Sequence, residues 1–199
     1  MLVLLASSNR GKLAEFKHML PESVQVKSAD EFGVELPEET GTTFFENAVL
    51  KARAVANATA QISVADDSGL EVDALDGAPG VWSARFAGQP SDDQKNNALL
   101  LQKLSDVEPI HRTARFRSVV AVVAPNGEMF AATGAIEGRI LETPRGSGGF
   151  GYDPLFQPNG FTQTMAELSL EEKNRISHRG IAFRGIVENL LTLLETYES

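Results

Sequence analysis

The stretch that decides the class of fold is Ile62-Ser63-Val64-Ala65-Asp66-Asp67-Ser68-Gly69. Its first half is largely apolar and β-branched, which predicts a buried strand over residues 62–65. Two adjacent carboxylates, Asp66 and Asp67, follow this strand directly and precede a Ser-Gly turn. In α/β proteins, ligands bind at the sheet edge that is formed by the carboxyl ends of the strands. The stretch therefore predicts an α/β sheet with a charged site at the end of this strand.

The chemistry of the paired acids indicates a cation. Neighbouring carboxylates repel each other and resist losing water, so a positive ion is their natural partner. Oxygen ligands select Mg²⁺ or Mn²⁺, and these ions usually accompany phosphate substrates. A metal-dependent phosphate enzyme is the first hypothesis. The alternative is a pair of solvated acids capping a strand, which describes most Asp-Asp pairs taken alone.

The composition is typical of a globular protein. The chain has 199 residues, 42% apolar and 23% charged, and we expect one domain over residues 1–199. It contains no cysteine, which excludes disulfides, thiolate nucleophiles and thiolate zinc sites. The apolar run at the N-terminus is too short for a signal peptide, and no run approaches the length of a membrane span. We therefore expect a cytoplasmic protein without a membrane partner.

The charge balance limits the class of ligand. Lys and Arg number 18 against 27 Asp and Glu, which gives a formal charge of −9. Binding of a polynucleotide depends on many cationic contacts with phosphates, so we expect no nucleic acid polymer as a partner. A small polyphosphate remains compatible with this charge if a few cations converge and a metal adds positive charge.

Local patterns predict a mixed α/β fold. Apolar periodicity predicts strands over residues 3–6 and 24–27, and a helix over residues 13–20. Capping boxes predict that further helices start at Thr43-x-x-Glu46 and Ser169-x-x-Glu172. Ser177 is expected to cap one last helix, whose core face would use Ile181, Ile186, Leu190, Leu193 and Leu194.

The middle of the chain predicts a long hairpin. Residues 91–94 can cap a helix that runs through residues 99–104. Two β-like stretches follow, over residues 113–124 and 128–137, and Pro125-Asn126-Gly127 joins them. Asn-Gly between apolar runs is a strong hairpin signal. The pattern indicates an α/β body with a long antiparallel hairpin that forms part of a second lobe.

An anion site is predicted at Ser7-Ser8-Asn9-Arg10-Gly11-Lys12. Backbone amides at a strand-to-helix turn, together with a lysine and the helix dipole, favour a negative ligand. The glycine spacing is not that of a Walker loop. A plain helix cap with a solvated lysine is an equally good interpretation of this pattern.

A second acidic segment lies at Glu38-Glu39, before Thr40-Gly41. These acids, with Asp66 and Asp67, could complete a Mg²⁺ shell. Asn47 and Lys51 are four residues apart and share one helix face. The alternative for Glu38-Glu39 is a flexible acidic loop.

The glycine cluster over residues 146–151 matches G-x-G-x-x-G but lacks the βαβ context of a dinucleotide fingerprint. We interpret it as a loop that presents Phe150 and Tyr152 for stacking and Asp153 for hydrogen bonding to a base. A glycine-rich hairpin with core aromatics is the alternative. Lys173, His178 and Arg179 lie beside a helix N-terminus, where cations oppose the dipole, so they favour anion or carbonyl binding.

Five segments in order resemble the inosine-triphosphate pyrophosphatase family, from about Val3 to Leu194. They are Ser8-Asn9-x-x-Lys12, Glu39-Thr40-Gly41 with Phe45-Glu46-Asn47-Ala48 and Lys51-Ala52, Ala65-Asp66-Asp67-Ser68-Gly69-Leu70, Gly148-Gly149-Phe150-Gly151-Tyr152-Asp153-Pro154, and Glu172-Lys173-Asn174 with Ser177-His178-Arg179. Ala78-Pro79-Gly80-Val81-Trp82-Ser83-Ala84-Arg85 is similar to the bacterial branch, whereas Ser7-Ser8 stands where many members have Thr-Gly.

The resemblance implies an elongated, two-lobed α/β fold with a central substrate cleft, a homodimer and Mg²⁺-dependent cleavage of ITP, dITP and XTP. It implies that Asp67 is the proton acceptor and a metal ligand, that Ser68 contacts substrate, and that Ser7 to Lys12 and Lys173 hold the triphosphate. Phe150, Gly151, Tyr152 and Asp153, with His178 and Arg179, would read the base. Glu39 is the expected second metal ligand, and Glu38 fits some members equally well.

Three other functions are compatible with parts of the pattern. A Maf-like pyrophosphatase would cleave modified pyrimidine or methylated nucleotides, but its motifs are not apparent. A nucleotide-sensing module would bind without releasing pyrophosphate. An NAD-dependent oxidoreductase would depend on the glycine cluster alone.

Overall fold

A computed structural model describes residues 1–198 and shows a mixed α/β fold. One six-stranded sheet has the order β2-β1-β3-β4-β5-β6. Strand β1 is parallel to β2 and β3, whereas β5 and β6 are antiparallel. The strands are β1 Leu2–Leu5, β2 Gln25–Ser28, β3 Ser63–Val72, β4 Thr113–Val123, β5 Met129–Ile140 and β6 Phe156–Pro158. The helices are α1 Arg10–Met19, α2 Phe44–Thr59, α3 Asp93–Lys103, α4 Leu170–Ile176, α5 His178–Arg184 and α6 Val187–Glu198. The predicted fold class is confirmed.

The central strand is longer than its sequence predicts. Strand β3 runs through Asp66 and Asp67 to Val72, so the Ser-Gly pair lies inside the strand and makes no turn. Leu70 and Val72 continue the apolar alternation and are fully buried, which keeps the chain extended. The expectation of a strand that ends at Ala65 was therefore wrong. The carboxylates lie within the sheet rather than at its edge.

Short-range signals placed most helices correctly. Asn9 caps α1, because its side chain accepts from the backbone N–H of Lys12, and the helix starts earlier than expected. Both predicted capping boxes are present, at the starts of α2 and α4. The hairpin turn forms as well, since the N–H of Gly127 donates to the carbonyl of Ala124 at 2.9 Å.

The last predicted helix is two helices, α5 and α6, which are separated at Gly185 and Ile186. A Cβ at Gly185 would come within 3.1 Å of the Ala132 side chain, so glycine allows a close approach here. Ile181 is 38% exposed, so its place on the core face was wrongly predicted. Ile186 and the three predicted leucines are buried, as expected: Leu190, Leu193 and Leu194.

The chain divides into two compact units. Unit 1 comprises Met1–Asp67, Ser118–Gly134 and Arg179–Ser199. Its core joins β1, the C-terminal part of β4 and the helices α1, α5 and α6, and Phe16 packs edge-on against Phe183 with ring centres 5.4 Å apart.

Unit 2 comprises Ser68–Arg117 and Ala135–His178. Its core contains Leu70 and Val72 of β3, leucines of α3, and aromatic side chains that include Tyr152 and Phe156. A short 3-10 helix, Gly80–Arg85, precedes α3 in this unit. No helix within residues 1–198 is long and apolar enough to cross a membrane.

Candidate active site

In unit 1, the Ser7-to-Lys12 segment forms the turn between β1 and α1. The buried hydroxyl of Ser7 accepts from the N–H of Asn9 at 3.1 Å, and Asn9 Oδ1 accepts from the N–H of Lys12 at 3.0 Å. Ser8, Asn9 and Arg10 are exposed. Asn9 does cap α1, but Lys12 is not the solvated lysine of the plain-cap interpretation, because its Nζ lies 2.8 Å from Asp66 Oδ2. The exposed start of α1 remains open to an anion.

Asp66 is the centre of a buried charge network in unit 1. Its carboxylate lies 2.8 Å from Lys12 Nζ and 3.0 Å from Arg179 Nη2, and it accepts from the hydroxyl of Ser118. Arg179 also pairs with Glu15 Oε2 at 2.5 Å. Burial alone would raise the pKa of Asp66, but Arg179 and Lys12 hold it well below its usual range. Asp66 is therefore a permanent anion that fixes two cations.

Asp67 points to different partners, because successive side chains of a strand lie on opposite faces. Lys51 Nζ donates to Asp67 Oδ1 at 2.9 Å and to Glu39 Oε1 at 2.6 Å. The same ammonium donates to the carbonyl of Asp66 at 3.1 Å. A single buried lysine of α2 thus lies between the two carboxylates that the sequence predicts as metal ligands.

The proton affinities in this cluster are shifted. Burial, with a contribution from the charge of Glu39, raises the pKa of Asp67. Burial would lower the pKa of Lys51, but Asp67 and Glu39 outweigh it and raise this pKa. A carboxylate with raised proton affinity is suited to accept a proton near neutral pH.

Asn47 fixes the geometry of this cluster. It is fully buried, its Nδ2 donates to Asp67 Oδ2 at 3.3 Å, and its Oδ1 accepts from the N–H of Gly41 at 2.8 Å. A Cβ on Gly41 would lie 2.6 Å from Asn47 Oδ1, so only glycine permits this approach. Asn47 therefore holds the loop that carries Glu39 beside Asp67. Asn47 and Lys51 lie on one helix face, which was predictable, whereas their partners were not.

The residues present fit a divalent cation. Glu39 and Asp67 are hard oxygen donors, and their mutual repulsion contributes to the raised pKa of Asp67. Glu38 is exposed, whereas Lys51 holds Glu39 next to Asp67, so Glu39 is the better placed of the two to share a cation with Asp67. Within residues 1–198, no three Asp, Glu or His side chains converge as a metal cluster. The pair would therefore leave other coordination positions to water and to substrate phosphates.

In unit 2, the glycine-rich loop is closed by an ion pair. Asp153 is buried; it accepts from the N–H of Phe150 at 2.9 Å and from Lys173 Nζ at 2.5 Å. Lys173 Nζ also lies 4.6 Å from the centre of the Phe150 ring, which is half-buried. Gly149 has a φ of +71°, and a Cβ there would overlap the Asp153 carboxylate. The loop needs glycine at this position.

Four of the predicted base-reading side chains are buried, namely Tyr152, Asp153, His178 and Arg179. The ring of Tyr152 packs in the core of unit 2, and its hydroxyl donates to the carbonyl of Ser83 at 2.8 Å. The expectation that Tyr152 presents its ring for stacking was wrong, because the loop turns this side chain inward, whereas the ring of Phe150 is only half-buried. His178 stacks on Phe116 with ring centres 4.8 Å apart. Ser68 is half-buried on β3.

Sequence reasoning missed two residues that bind the glycine-rich loop. Asp93 and Asn97, both on α3, bond the backbone of Gly151. Their spacing of four residues was a usable signal, but the segment 91–94 was interpreted only as a helix cap. Glu15, the second partner of Arg179, carried no local signal at all.

Comparisons with known proteins identify the family of this chain. The family model described as the Ham1 family matches residues 3–189. A protein of Desulforamulus reducens named dITP/XTP pyrophosphatase is 54% identical over 192 residues, which is 96% of each chain. A Bacillus subtilis protein of the same name is 50% identical over 183 residues, covering 91% of this chain and 92% of the other.

Solved structures show the same fold. A HAM1 protein from Coxiella burnetii superposes with a TM-score of 0.85 at 40% identity, covering 96% of this chain and 99% of that one. The nucleoside-triphosphatase or dITP/XTP pyrophosphatase of Mycobacterium abscessus gives 0.74 at 46% identity, with the same coverage. The resemblance inferred from five short segments is thus confirmed along nearly the whole chain, which belongs to the Ham1 family.

Proposed function

We propose that this protein hydrolyses the triphosphates of non-canonical purines, dITP, ITP and XTP, to the nucleoside monophosphate and pyrophosphate. The observation that carries this proposal is the buried pair of carboxylates, Asp67 and Glu39, around the ammonium of Lys51. Membership of the Ham1 family and relatives named dITP/XTP pyrophosphatase support the choice of substrate. The activity would remove these nucleotides from the pool.

In the proposed reaction, water attacks the α-phosphorus and pyrophosphate leaves. Asp67 is the proton acceptor, because its raised pKa makes it a better base than an ordinary carboxylate. Its two oxygens are held by Lys51 and Asn47, which fixes the direction from which a water can be deprotonated. Asp66 takes no proton, because its pKa is held low.

Glu39 and Asp67 would hold a divalent cation, which we propose is Mg²⁺. When bound, it supplies positive charge that neutralises the phosphate oxygens and the leaving pyrophosphate. Lys51 limits the repulsion between the two carboxylates and keeps both oriented. The chain therefore supplies an ordered pair of ligands.

The substrate-binding residues are proposed by position in the family pattern. Backbone amides at the start of α1 and the lysines would hold the triphosphate. Donors would suit O6 of hypoxanthine and xanthine and would oppose the amino group of adenine, a mismatch that can discriminate by ~10⁴-fold. The proposed residues are Ser7, Ser8, Asn9, Arg10, Gly11, Lys12, Ser68, Phe150, Gly151, Tyr152, Asp153, Lys173, His178 and Arg179.

The remaining features are proposed on the same basis. Residues 1–199 act as one pyrophosphatase domain. The protein works as a cytoplasmic homodimer and has no nucleic acid polymer as a partner, in keeping with its formal charge of −9.

The test is a panel of pyrophosphate release at one Mg²⁺ concentration. It includes ITP, dITP, XTP, GTP and ATP, with UTP and dTTP for the Maf-like alternative. We expect release from the first three to exceed release from ATP by at least ~10²-fold. Preference for ATP or for a pyrimidine overturns the proposal, and tight binding of ITP without release would support the sensing module instead.

A further inference from the structure

Helix α3 forms hydrogen bonds with both backbone polar groups of Gly151, a residue of the glycine-rich loop. The N–H of Gly151 donates to Asp93 Oδ2 at 2.7 Å, and Asn97 Nδ2 donates to the carbonyl of Gly151 at 2.9 Å. Asp93 and Asn97 are four residues apart, so they lie one above the other on one helix face. Gly151 has a φ of +60°, the left-handed region that glycine adopts at low cost. The two bonds fix both peptide groups of Gly151.

Helix α3 is itself held within unit 2 by the side chain of Asn96. The buried amide of Asn96 accepts from the N–H of Ala87 at 2.8 Å and donates to the carbonyl of Ala84 at 3.0 Å. The same short segment supplies the carbonyl of Ser83 that accepts from the hydroxyl of Tyr152. Gly151 and Tyr152 are thus tied to two neighbouring elements by side-chain hydrogen bonds.

The residue that precedes Gly151 is Phe150, whose ring is half-buried and lies beside Lys173. Peptide planarity leaves two soft torsions per residue, so fixing both peptides of Gly151 restricts the carbonyl side of Phe150. Asp153 already holds the N–H of Phe150. The backbone of Phe150 is therefore constrained on both sides, which fixes the direction in which its side chain leaves the loop.

Stability alone does not explain Asn97. Its Oδ1 is buried and has no hydrogen-bond partner among residues 1–198, and an unsatisfied buried acceptor costs free energy. Asn97 leaves this acceptor unsatisfied and donates its amide to Gly151. We explain its presence by the order that this hydrogen bond imposes on the loop. Asp93, in contrast, also benefits from its place in the first turn of α3.

We propose that Asp93 and Asn97 are positioning residues that hold Phe150 and Gly151 in the conformation that receives the purine base. This inference rests on the proposed function, because it assigns the loop to the base. Without these two hydrogen bonds, part of the binding free energy of the nucleotide is spent on ordering the loop. Neither residue touches the reacting atoms, so the effect falls on KM rather than on kcat.

The experiment compares D93A, N97A and N97D with D93N and Q94A. D93N keeps an oxygen that can accept from Gly151 but removes the charge, and Gln94 is an exposed neighbour on the same helix. For D93A and N97A we expect KM for ITP to rise about tenfold, the effect of one lost hydrogen bond, with little change in kcat. N97D should be worse, because an oxygen then faces the carbonyl of Gly151. D93N and Q94A should stay within about twofold of the original protein.

A second readout separates positioning from general damage. Tripolyphosphate carries no base, so its inhibition constant against ITP should be unchanged in D93A and N97A. An equal rise in that constant and in KM, an unchanged KM, or failure of D93N to restore binding overturns the inference.

Amide hydrogen exchange of Gly151 tests its hydrogen bond to Asp93 in the absence of substrate. Exchange should accelerate about tenfold in D93A and not in Q94A. An unchanged exchange rate in D93A overturns the inference even if the enzyme is active. Accelerated exchange in D93A, together with an original protein that does not cleave ITP, supports the role of Asp93 in ordering the loop and refutes the proposed function.

Discussion

The carboxylate cluster of unit 1 and the glycine-rich loop of unit 2 are ordered by different forces. Asp66 and Asp67 are held by ammonium and guanidinium groups at 2.8–3.0 Å. Burial acts to raise the pKa of both carboxyls, but Arg179 and Lys12 outweigh it at Asp66, whereas Lys51 does not outweigh it at Asp67. The loop is held mainly through its backbone, by Asp153, Asp93 and Asn97. The first arrangement controls charge and the second controls shape. Substitutions should therefore cost most where they leave a buried charge unpaired.

The largest effect is expected for D67N. Loss of the proton acceptor should lower turnover of ITP by about 10²–10⁴-fold, whereas the fold should persist because burial already favours the neutral form of this side chain. Pyrophosphate release and thermal melting measure the two effects. Asp73, which pairs with Arg115 in unit 2, gives the matched control D73N with unchanged turnover. A rate for D67N within tenfold of the original would refute the assignment.

D66N should chiefly affect stability. Removing this charge leaves Lys12 and Arg179 buried without their shared anion, and breaking a buried pair costs about 3–5 kcal/mol. Denaturant unfolding measures the loss. D67N, the same change at the next position, should lose much less. Equal losses would show that the two acids are held alike.

Acid pH sharpens the contrast between the two aspartates. The pKa of Asp66 is lowered in the folded state, so its stabilising effect is complete above the unfolded value of about 3.9 and is lost as pH falls through the folded pKa. The raised pKa of Asp67 acts in the opposite direction. The stability difference between the original protein and D66N should therefore shrink below about pH 4, by about 1.4 kcal/mol per pH unit. A difference that stays constant from pH 7 to pH 3 would contradict this account.

A smaller effect is expected where the loop depends on shape. Gly149 and Gly151 both have positive φ, but a Cβ would overlap Asp153 only at Gly149. G151A should cost about 1–2 kcal/mol for the left-handed backbone, and G149A should cost more because the Lys173 pair must also move. Unfolding free energies of the two variants test this order. Equal costs would mean that the predicted overlap is relieved without loss.

The smallest effect concerns the helix that carries Lys173. S169A removes the cap of α4, whose hydroxyl accepts from the N–H of Glu172 at 3.2 Å, and should cost about 1 kcal/mol. In a chain of this size the melting temperature should fall by about 2–4 °C. S169D keeps a capping oxygen and serves as the control. A similar fall in both variants would assign the effect to something other than the cap.

Prediction from sequence succeeded where the determinants are local. Capping boxes and the Asn-Gly turn each lie within a few residues, so the starts of α2 and α4 and the hairpin were found. The end of β3 was missed because the cations that neutralise Asp66 come from 54 and 113 residues away in the chain. Burial of Tyr152 was missed for the same reason, since its partner Ser83 is 69 residues away.

Lys51 affects how much the stability of the folded protein depends on a bound metal ion. Many small metal-binding domains unfold when the ion is stripped, since metal binding and folding are coupled in them. Here an ammonium already lies between Glu39 and Asp67. We therefore expect a chelator to abolish pyrophosphate release reversibly and to leave the melting temperature nearly unchanged. A newly synthesised chain would then fold before it binds the ion.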